Sequence, residues 1–535
     1  MSDARPSSDS ALDMGQYRID RLPKRERSTT ERWMARAGIP LAVIVFLMFG
    51  LAWTPEFLLQ FTADVLPDRA LAVLEDVGRD EMIRRNRFML AIFLVGMILW
   101  TAQSIPNYLT SLIIIISLVL TGVLSEREAY AQLGHPIMWL NIMSFILASM
   151  LVKTGLAKRF TLWFILKFGR TAPKVFLSFI VINVTLSAFI SATTAKAAIL
   201  LPVFMVIAAI YGSRPGSGKA NFGRNIVLQN LLNINLGAGA FVTGSGANLL
   251  AAALITGAVA GGVFFADWMI AMLPTMLGLM LIGYVIGMKF IFPLDEKERL
   301  PQVEGGMERL KDEYDKLGPI RWDEIRAAII FLCILGLWAT DRLHGVSATA
   351  IAFVGGIVAL MPRIGIVDWN DVDIPWHLML FSAGAYCLGA GFAQTGLPNI
   401  GVDAFFTAVG LDQDTPFWVL YLLLTGVMAY SALLSQSKTM RAMIFVPIAI
   451  GTADHFGHPV ISLALPVAFL IEHVYVLPFN SKPAALLYET DMYSLTDAIK
   501  YGIVMMTLGW LAIIIMGETW FRFLGITPNG VFGLF

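Results

Sequence analysis

Long apolar stretches, separated by short polar segments, occupy most of the sequence between residues 38 and 523. A transmembrane helix needs about 20 mostly apolar residues, and stretches of that kind predict eleven membrane spans. The pattern therefore indicates an all-α polytopic membrane protein. The predicted spans cover residues 38–57, 87–104, 106–124, 136–152, 224–258, 266–293, 325–343, 346–362, 375–395, 458–488 and 496–523.

Two further apolar regions, 173–211 and 415–452, have a polar block at their centre. The blocks are residues 192–196 and 437–441, and each begins ten residues before a proline and ends on a basic side chain. Each region is long enough for two half-helices. Non-helical backbone at membrane depth is tolerated only where it is buried in protein or lines a cavity. The sequence therefore predicts two re-entrant hairpins whose tips carry the polar blocks.

The distribution of basic residues predicts opposite orientations for the two hairpins. The segment from Lys153 to Arg224 contains no acidic residue, whereas no Lys or Arg occurs between Thr395 and the second tip. Because basic residues favour the cytoplasmic side, the first hairpin is predicted to enter from the cytoplasm and the second from outside. With a cytoplasmic N-terminus, eleven spans place the C-terminus outside. We expect the protein to reside in the bacterial inner membrane.

Matching features in the two halves predict an inverted repeat. A Thr-Gly-Leu triplet ends the span before each hairpin, at 154–156 and 395–397, and each hairpin precedes a span interrupted at its middle. Opposed halves with interrupted helices at matching places are typical of secondary transporters. The predicted organisation is a cytoplasmic tail (1–37), a first span with the first half (38–293), a cytoplasmic linker (294–324) and a second half (325–535).

Composition is consistent with this organisation, since 57% of the residues are hydrophobic and 15% are charged. A soluble domain averages about 25% charged residues. The sequence offers no nucleophile set, metal cluster or phosphate loop that would indicate an enzyme. Expected partners are a small anion and the lipid bilayer, with no nucleic acid.

From about residue 90 to 525 the chain resembles the divalent anion/sodium symporter family, which carries dicarboxylates, citrate and sulfate. The family's hairpins are tipped by Ser-Asn-Thr shortly before a Leu-Pro or Val-Pro pair. The equivalent triplets here are Ala192-Thr193-Thr194 and Ser437-Lys438-Thr439, and the family's unwound segments correspond to 244–248 and 480–484. The resemblance implies a homodimer that moves its cargo by an elevator motion. No cofactor is expected.

The two motif asparagines, which help to build the family's sodium sites, are Thr193 and Lys438 here. A lysine ammonium donates three hydrogen bonds and accepts none, so Lys438 is unfit as a sodium ligand but supplies the same single positive charge. For a sodium site near Thr193 and Gly244, the sequence favours neither presence nor absence. The sequence thus predicts that sodium coupling is weakened or lost.

Several residues have two interpretations. Lys438 either takes part in binding or coupling, or is a structural cation paired with Glu472. Lys196 and Arg441 either bind the cargo or extend toward water along their long stems. His473 is interpreted as a satisfied helix histidine, with proton coupling as the alternative. Predicted substrate-binding residues are Thr193, Thr194, Lys196, Asn248, Ser437, Lys438, Thr439, Arg441, Ser481 and Lys482; Glu472 and His473 are predicted coupling or charge-pair residues.

The predicted function is secondary transport of small dianions, chiefly dicarboxylates, by sodium-independent exchange. A Lys or Arg at the bilayer centre costs roughly 2.5–3.5 kcal/mol, so an empty carrier with several such cations should cross reluctantly. The alternatives are sodium- or proton-coupled symport of dicarboxylate or sulfate and, more distantly, an anion channel.

Overall fold

The computed structural model describes residues 29–188, 190–216, 220–259, 262–303, 305–410, 414–435 and 437–534. Throughout these ranges the regular structure is helical, and no strand occurs in them. The prediction of an all-α protein is confirmed. Helices in the first half are α1 (Thr29–Leu47), α2 (Glu56–Gln60), α3 (Asp68–Val77), α4 (Arg79–Ala102), α5 (Asn107–Leu120), α6 (Glu126–Ala131), α7 (Pro136–Thr154), α8 (Leu156–Phe168), α9 (Ala172–Ser187), α10 (Thr193–Ile210), α11 (Asn221–Gly239), α12 (Gly246–Ala258) and α13 (Phe265–Ile286).

The linker contains one helix, α14, and the remaining helices belong to the second half. They are α14 (Gly306–Asp315), α15 (Trp322–Ala339), α16 (Asp341–His344), α17 (Ala348–Leu360), α18 (Trp376–Thr395), α19 (Leu397–Val409), α20 (Phe417–Tyr430), α21 (Lys438–His455), α22 (Val460–Phe469), α23 (Lys482–Tyr488), α24 (Leu495–Glu518) and α25 (Trp520–Phe523).

The outer helices present apolar side chains to their surroundings, as lipid-facing surfaces do. On α15, for example, Ile329 and Leu332 are exposed by 54% and 64%. Within the described residues, five helical stretches are long and apolar enough to cross a membrane. Several shorter apolar helices accompany them. The count of eleven spans stays a prediction.

The region 173–211 folds as a helical hairpin of α9 and α10. The Ser187 hydroxyl meets the Lys196 ammonium near the tip, and the rings of Phe179 and Phe204 lie 6.3 Å apart further down. These contacts make α9 and α10 antiparallel. In the second region, α20 and α21 meet through Arg441, which donates to the Ser431 hydroxyl at 3.0 Å.

Each hairpin packs against the interrupted span of the other half. Helix α10 contacts α23, and α21 contacts α12. Residues 240–245 separate α11 from α12. Between α22 and α23, the short helical turn Leu470–Glu472 comes first and the interruption 473–481 follows it. This cross-packing places both hairpin tips beside both unwound segments.

Two features of the helices differ from the sequence expectation. α1 begins at Thr29, so the helix extends into the segment assigned to the tail. His473 follows the short turn Leu470–Glu472 and has ψ of 65°, outside the helical range. The interpretation of His473 as a helix histidine is therefore wrong, because the second interruption begins before Pro478.

The Thr-Gly-Leu triplets have the same local structure in both halves. Gly155 and Gly396 have φ of 74° and 64°, a left-handed conformation that glycine adopts without a steric penalty. Each glycine ends one helix and begins another, α8 after α7 and α19 after α18. The sequence analysis predicted the helix ends but missed α8 and α19, whose polar side chains obscured the apolar pattern.

Gly244 lets the first unwound segment fold back on α11. A Cβ atom at this position would lie 2.1 Å from the carbonyl oxygen of Ala238, whereas a Cβ at Gly246 would meet nothing within 4 Å. Overpacking a tight site costs about 1–3 kcal/mol. We expect Gly244→Ala to lower the thermal unfolding midpoint of the purified protein in detergent.

Gly246→Ala is the matched control and should leave that midpoint unchanged. Equal midpoints for the two variants would contradict the close approach of Gly244 to the α11 backbone.

Candidate functional site

A cavity of about 450 Å³ lies where the hairpin tips meet the unwound segments. Helices α10, α12, α21 and α23 begin in its wall at the tips and unwound segments, and α5 begins there at Asn107. The side chains on this side of the wall are mainly small and polar, and none of the described lining residues is acidic. They include Ser191, Thr193, Thr194, Ser245, Ser437, Lys438, Thr439, Asn480, Ser481 and Lys482.

Serine side chains cap three of the helices that begin at the cavity. Ser245 accepts from the backbone N–H of the third residue after it at 3.2 Å, Ser481 does so at 3.2 Å, and Ser437 at 3.3 Å. The N-cap of α10 is Ala192, which offers no side-chain acceptor. Backbone N–H groups and the helix dipole favour anions at such ends. The wall is therefore suited to negative charge.

Two asparagines hold the tips and unwound segments in shape. Asn248 donates to the carbonyl oxygens of Ala238 and Phe241 at 2.9 and 3.1 Å. Asn480 donates to the carbonyl oxygens of Ala432 and Ser435, between α20 and α21, at 2.6 and 3.2 Å. Asn480 lines the cavity but Asn248 does not. Asn248, a predicted substrate ligand, therefore lies behind the wall, where it fixes backbone.

Lys438 joins both hairpins and both halves of the site. Its Nζ lies 2.7 Å from the Oε2 atom of Glu472 and 3.4 Å from the hydroxyl of Thr193. Glu472 is fully buried, and its Oε1 atom accepts from the hydroxyl of Ser245 at 2.5 Å. One carboxylate thus connects the second tip to the unwound segment of the first half.

Lys196 and Arg441, at matching positions in α10 and α21, are almost completely buried. Neither is among the residues that line the cavity. Lys196 donates to the Ser187 hydroxyl at 2.8 Å. Arg441 donates to the Ser431 hydroxyl and to the carbonyl oxygens of Met428, Leu470 and Ile471. Both cations tie the two helices of a hairpin together, and both lie behind the cavity wall.

The structure therefore divides the predicted site residues into two groups. The cavity wall contains Thr193, Thr194, Ser437, Lys438, Thr439, Ser481 and Lys482. Behind the wall lie Lys196, Asn248, Arg441, Glu472 and His473, all with almost no exposed surface.

The cavity is also lined by polar residues that the sequence analysis missed. They come from α5, α7, α18 and the end of α4, which were interpreted as uninterrupted spans. Asn141 is 4% exposed, and its Oδ1 atom has no hydrogen-bond partner among the described residues. A buried amide within an apolar span was the available signal. These residues are Gln103, Asn107, Asn141 and Ser382.

The cavity extends to helix ends that share one face of the protein. Met34, near the start of α1, and Gln103, after α4, both line it, and the rings of Trp100 and Phe381 join α4 to the start of α18. Lys153, at the end of α7, pairs at 2.5 Å with Asp371, just before α18. The cavity thus reaches toward the face where α7 ends and α18 begins.

A family model described as the sodium:sulfate symporter transmembrane region matches residues 80–527. The chain belongs to this family. Membership confirms that the protein is a membrane transporter and not an enzyme. It also confirms the resemblance on which the sequence analysis aligned the two motifs.

Curated relatives match most of the chain at low identity. A membrane protein of Cupriavidus necator is 23% identical over 460 residues, covering 82% of this chain and 87% of the relative. The sodium-dependent dicarboxylate transporter SdcS of Staphylococcus saprophyticus is 24% identical, with 82% and 86% covered. The chloroplastic dicarboxylate transporter 1 of Arabidopsis thaliana is 26% identical, with 83% and 80% covered.

The hydrogen bonds of Arg441 predict a structural effect for its replacement. Lysine carries its donors on one nitrogen and cannot reach acceptors spread around a guanidinium. An unsatisfied buried acceptor costs about 1–3 kcal/mol. Arg441→Lys should therefore lower the thermal unfolding midpoint in detergent, while Lys482→Arg, at an exposed position, should not. An unchanged midpoint with lost anion affinity would instead make Arg441 a cargo ligand.

Proposed function

We propose that this family member exchanges small dianions, chiefly dicarboxylates, across the membrane without sodium. The observation that carries the proposal is the position of Lys438, which stands at a motif asparagine of the family and bridges the two hairpin tips. The Staphylococcus and Arabidopsis relatives are named as dicarboxylate transporters, which supports dicarboxylates as the cargo.

The lining of the cavity supports an anionic cargo of small size. Helix N-termini, hydroxyl groups and two lysines surround a volume of about 450 Å³ without a described acidic lining residue. Small-molecule sites usually measure about 300–1,000 Å³. Lys438 and Lys482 supply charge, and Thr194, Ser437 and Thr439 supply donors for carboxylate oxygens.

The contacts of Lys438 support sodium independence. Its ammonium lies between Thr193 and Glu472, oxygen-bearing groups of the kind that would otherwise suit a cation. Because an ammonium is positively charged, it repels a sodium ion at the same place and replaces the ion's charge, and because it has no acceptor it cannot coordinate the ion. We propose that this fixed charge performs the neutralising role that sodium has elsewhere in the family.

Buried charge behind the wall supports exchange. The hydrogen-bond partners that the structure gives Lys196 and Arg441 are neutral hydroxyl and carbonyl oxygens. Cations in the membrane core are expensive, and a bound dianion offsets them. The loaded carrier therefore crosses more readily than the empty one.

One set of buried oxygens favours sodium-coupled symport as a second candidate. The side-chain oxygens of Ser191, Thr243 and Asn248 have no hydrogen-bond partner among the described residues. They belong to the first tip and the first unwound segment, near Thr193 and Gly244. A sodium ion held there, at the family's other motif, would couple transport to sodium even with Lys438 in place.

We also propose a homodimer, an elevator motion, a cytoplasmic N-terminus and an outward C-terminus in a bacterial inner membrane. The first two rest on family membership, and the orientation rests on the basic residues around the first hairpin. In this orientation the cavity reaches toward the cytoplasmic face. Proton coupling through Glu472 or His473 would appear as pH-dependent net uptake.

Proteoliposomes loaded with unlabelled succinate test exchange directly. We expect uptake of labelled succinate to rise severalfold with internal succinate and to be unaffected by a sodium gradient. Sodium-driven uptake without stimulation by internal succinate would contradict the proposal and favour the sodium-coupled candidate.

The replacement Lys438→Asn recreates the family's Ser-Asn-Thr at the second tip. Because Glu472 then lacks its cation, we expect transport by this variant to become stimulated by sodium. Lys482→Asn removes another cavity lysine and serves as the matched control, which should gain no sodium stimulation. Absence of stimulation in both variants would contradict the role given to Lys438.

A further inference from the structure

We infer that Glu472 sets the charge number of the cargo, by fixing the net charge of the buried site at a value that a dianion balances. The inference rests on the proposed function and deepens it, because it names a residue outside the cavity wall that selects dianions over trianions and monoanions.

Glu472 acts on the cavity through residues in its wall. Its carboxylate is fully buried and lies outside the cavity lining. Both of its side-chain partners, Lys438 at 2.7 Å and Ser245 at 2.5 Å, do line the cavity. The carboxylate charge is therefore felt by a bound anion without direct contact.

When Lys196, Lys438 and Arg441 are counted as cations and Glu472 as an anion, the buried charges around the tips sum to +2. Three cations, Lys196, Lys438 and Arg441, and one carboxylate, Glu472, are buried or nearly so. Lys196 and Arg441 are close enough to interact with the charge of Glu472. Lys482 also lines the cavity, but it is exposed, so water screens its charge and weakens its contribution to this balance. His473, between Phe469 and Tyr475, is counted as neutral.

A net charge of +2 predicts a preference for cargo of charge −2. A dianion leaves the buried site neutral, whereas a monoanion leaves +1 and a trianion leaves −1. Uncompensated charge is costly in a low-dielectric region. Without Glu472 the same cations would sum to +3 and favour a trianion, although the cavity wall would keep every one of its residues.

Glu472→Gln tests this inference, since glutamine keeps the shape and an acceptor for Lys438 while removing the charge. Succinate serves as the dianion and citrate, at mildly alkaline pH, as the trianion. At an effective dielectric of about 20, one unit charge a few ångströms from the cargo changes affinity by about tenfold or more. We expect the ratio of citrate to succinate affinity to rise by that factor.

The double variant Lys438→Gln/Glu472→Gln removes one charge of each sign. It restores the net +2, so the ratio of citrate to succinate affinity should return toward the value of the unaltered protein. Ser245→Ala is the control for geometry, because it removes a hydrogen bond of Glu472 but no charge. This control should lower both affinities by a similar factor and leave their ratio unchanged.

Two measurements keep the inference separate from the proposed function. Ligand-induced thermal shifts of the detergent-purified variants give the affinity ratio without transport, and exchange in proteoliposomes tests the transport mode. If the unaltered protein exchanges succinate but Glu472→Gln keeps its ratio, the inference is overturned and the proposed function stands. If the unaltered protein shows no exchange but the ratio shifts, the proposed exchange fails alone.

Should Glu472→Gln fold poorly, Lys438→Gln carries the test. Its net charge is +1, and it should shift preference from succinate toward the monoanion propionate. An unshifted preference in that variant overturns the inference.

Discussion

The ion pair between Lys438 and Glu472 holds together the parts of the molecule that form the cavity. The lysine belongs to the second hairpin tip and also contacts Thr193 of the first tip, while the carboxylate reaches Ser245 in the first unwound segment. Buried charges need a partner and further hydrogen bonds to offset their desolvation. Both ends of this pair have them, and removal of one partner from a buried pair costs roughly 3–5 kcal/mol.

The remaining features of the site follow from the hydrogen bonds that hold the hairpins and interrupted spans in place. Lys196 and Arg441 donate hydrogen bonds to hydroxyl and carbonyl oxygens of their own half, and these bonds join the two helices of each hairpin. Asn248 and Asn480 do the same for the unwound backbone. These contacts fix four helix N-termini in one wall, so that positive potential comes from backbone as well as from side chains.

Sequence reasoning located the centre of the site because its signals were local. The two polar blocks, in apolar surroundings and at equal distances from prolines, predicted the hairpin tips. Thr193, Ser437 and Lys438 from these blocks do line the cavity. The same reasoning could not separate Lys438 from Lys196 and Arg441. All three are cations within the two polar blocks, and whether a side chain lines the cavity or lies behind its wall depends on the direction of that side chain. Asn141 and Ser382 were missed because single polar residues scarcely alter an apolar span.

The sequence by itself determined the membrane class, the two hairpins, the interrupted spans and the family, because hydrophobic periodicity, charge distribution and motif spacing are properties of neighbouring residues. Only the tertiary structure decided which cations face the cavity and that Glu472 bridges Lys438 to Ser245. Ser245 and Glu472 are far apart in sequence, and they meet because the interrupted spans of the two halves pack against each other, α11 against the turn Leu470–Glu472 and α12 against α22. The charge balance of the buried site is therefore a product of packing between the halves.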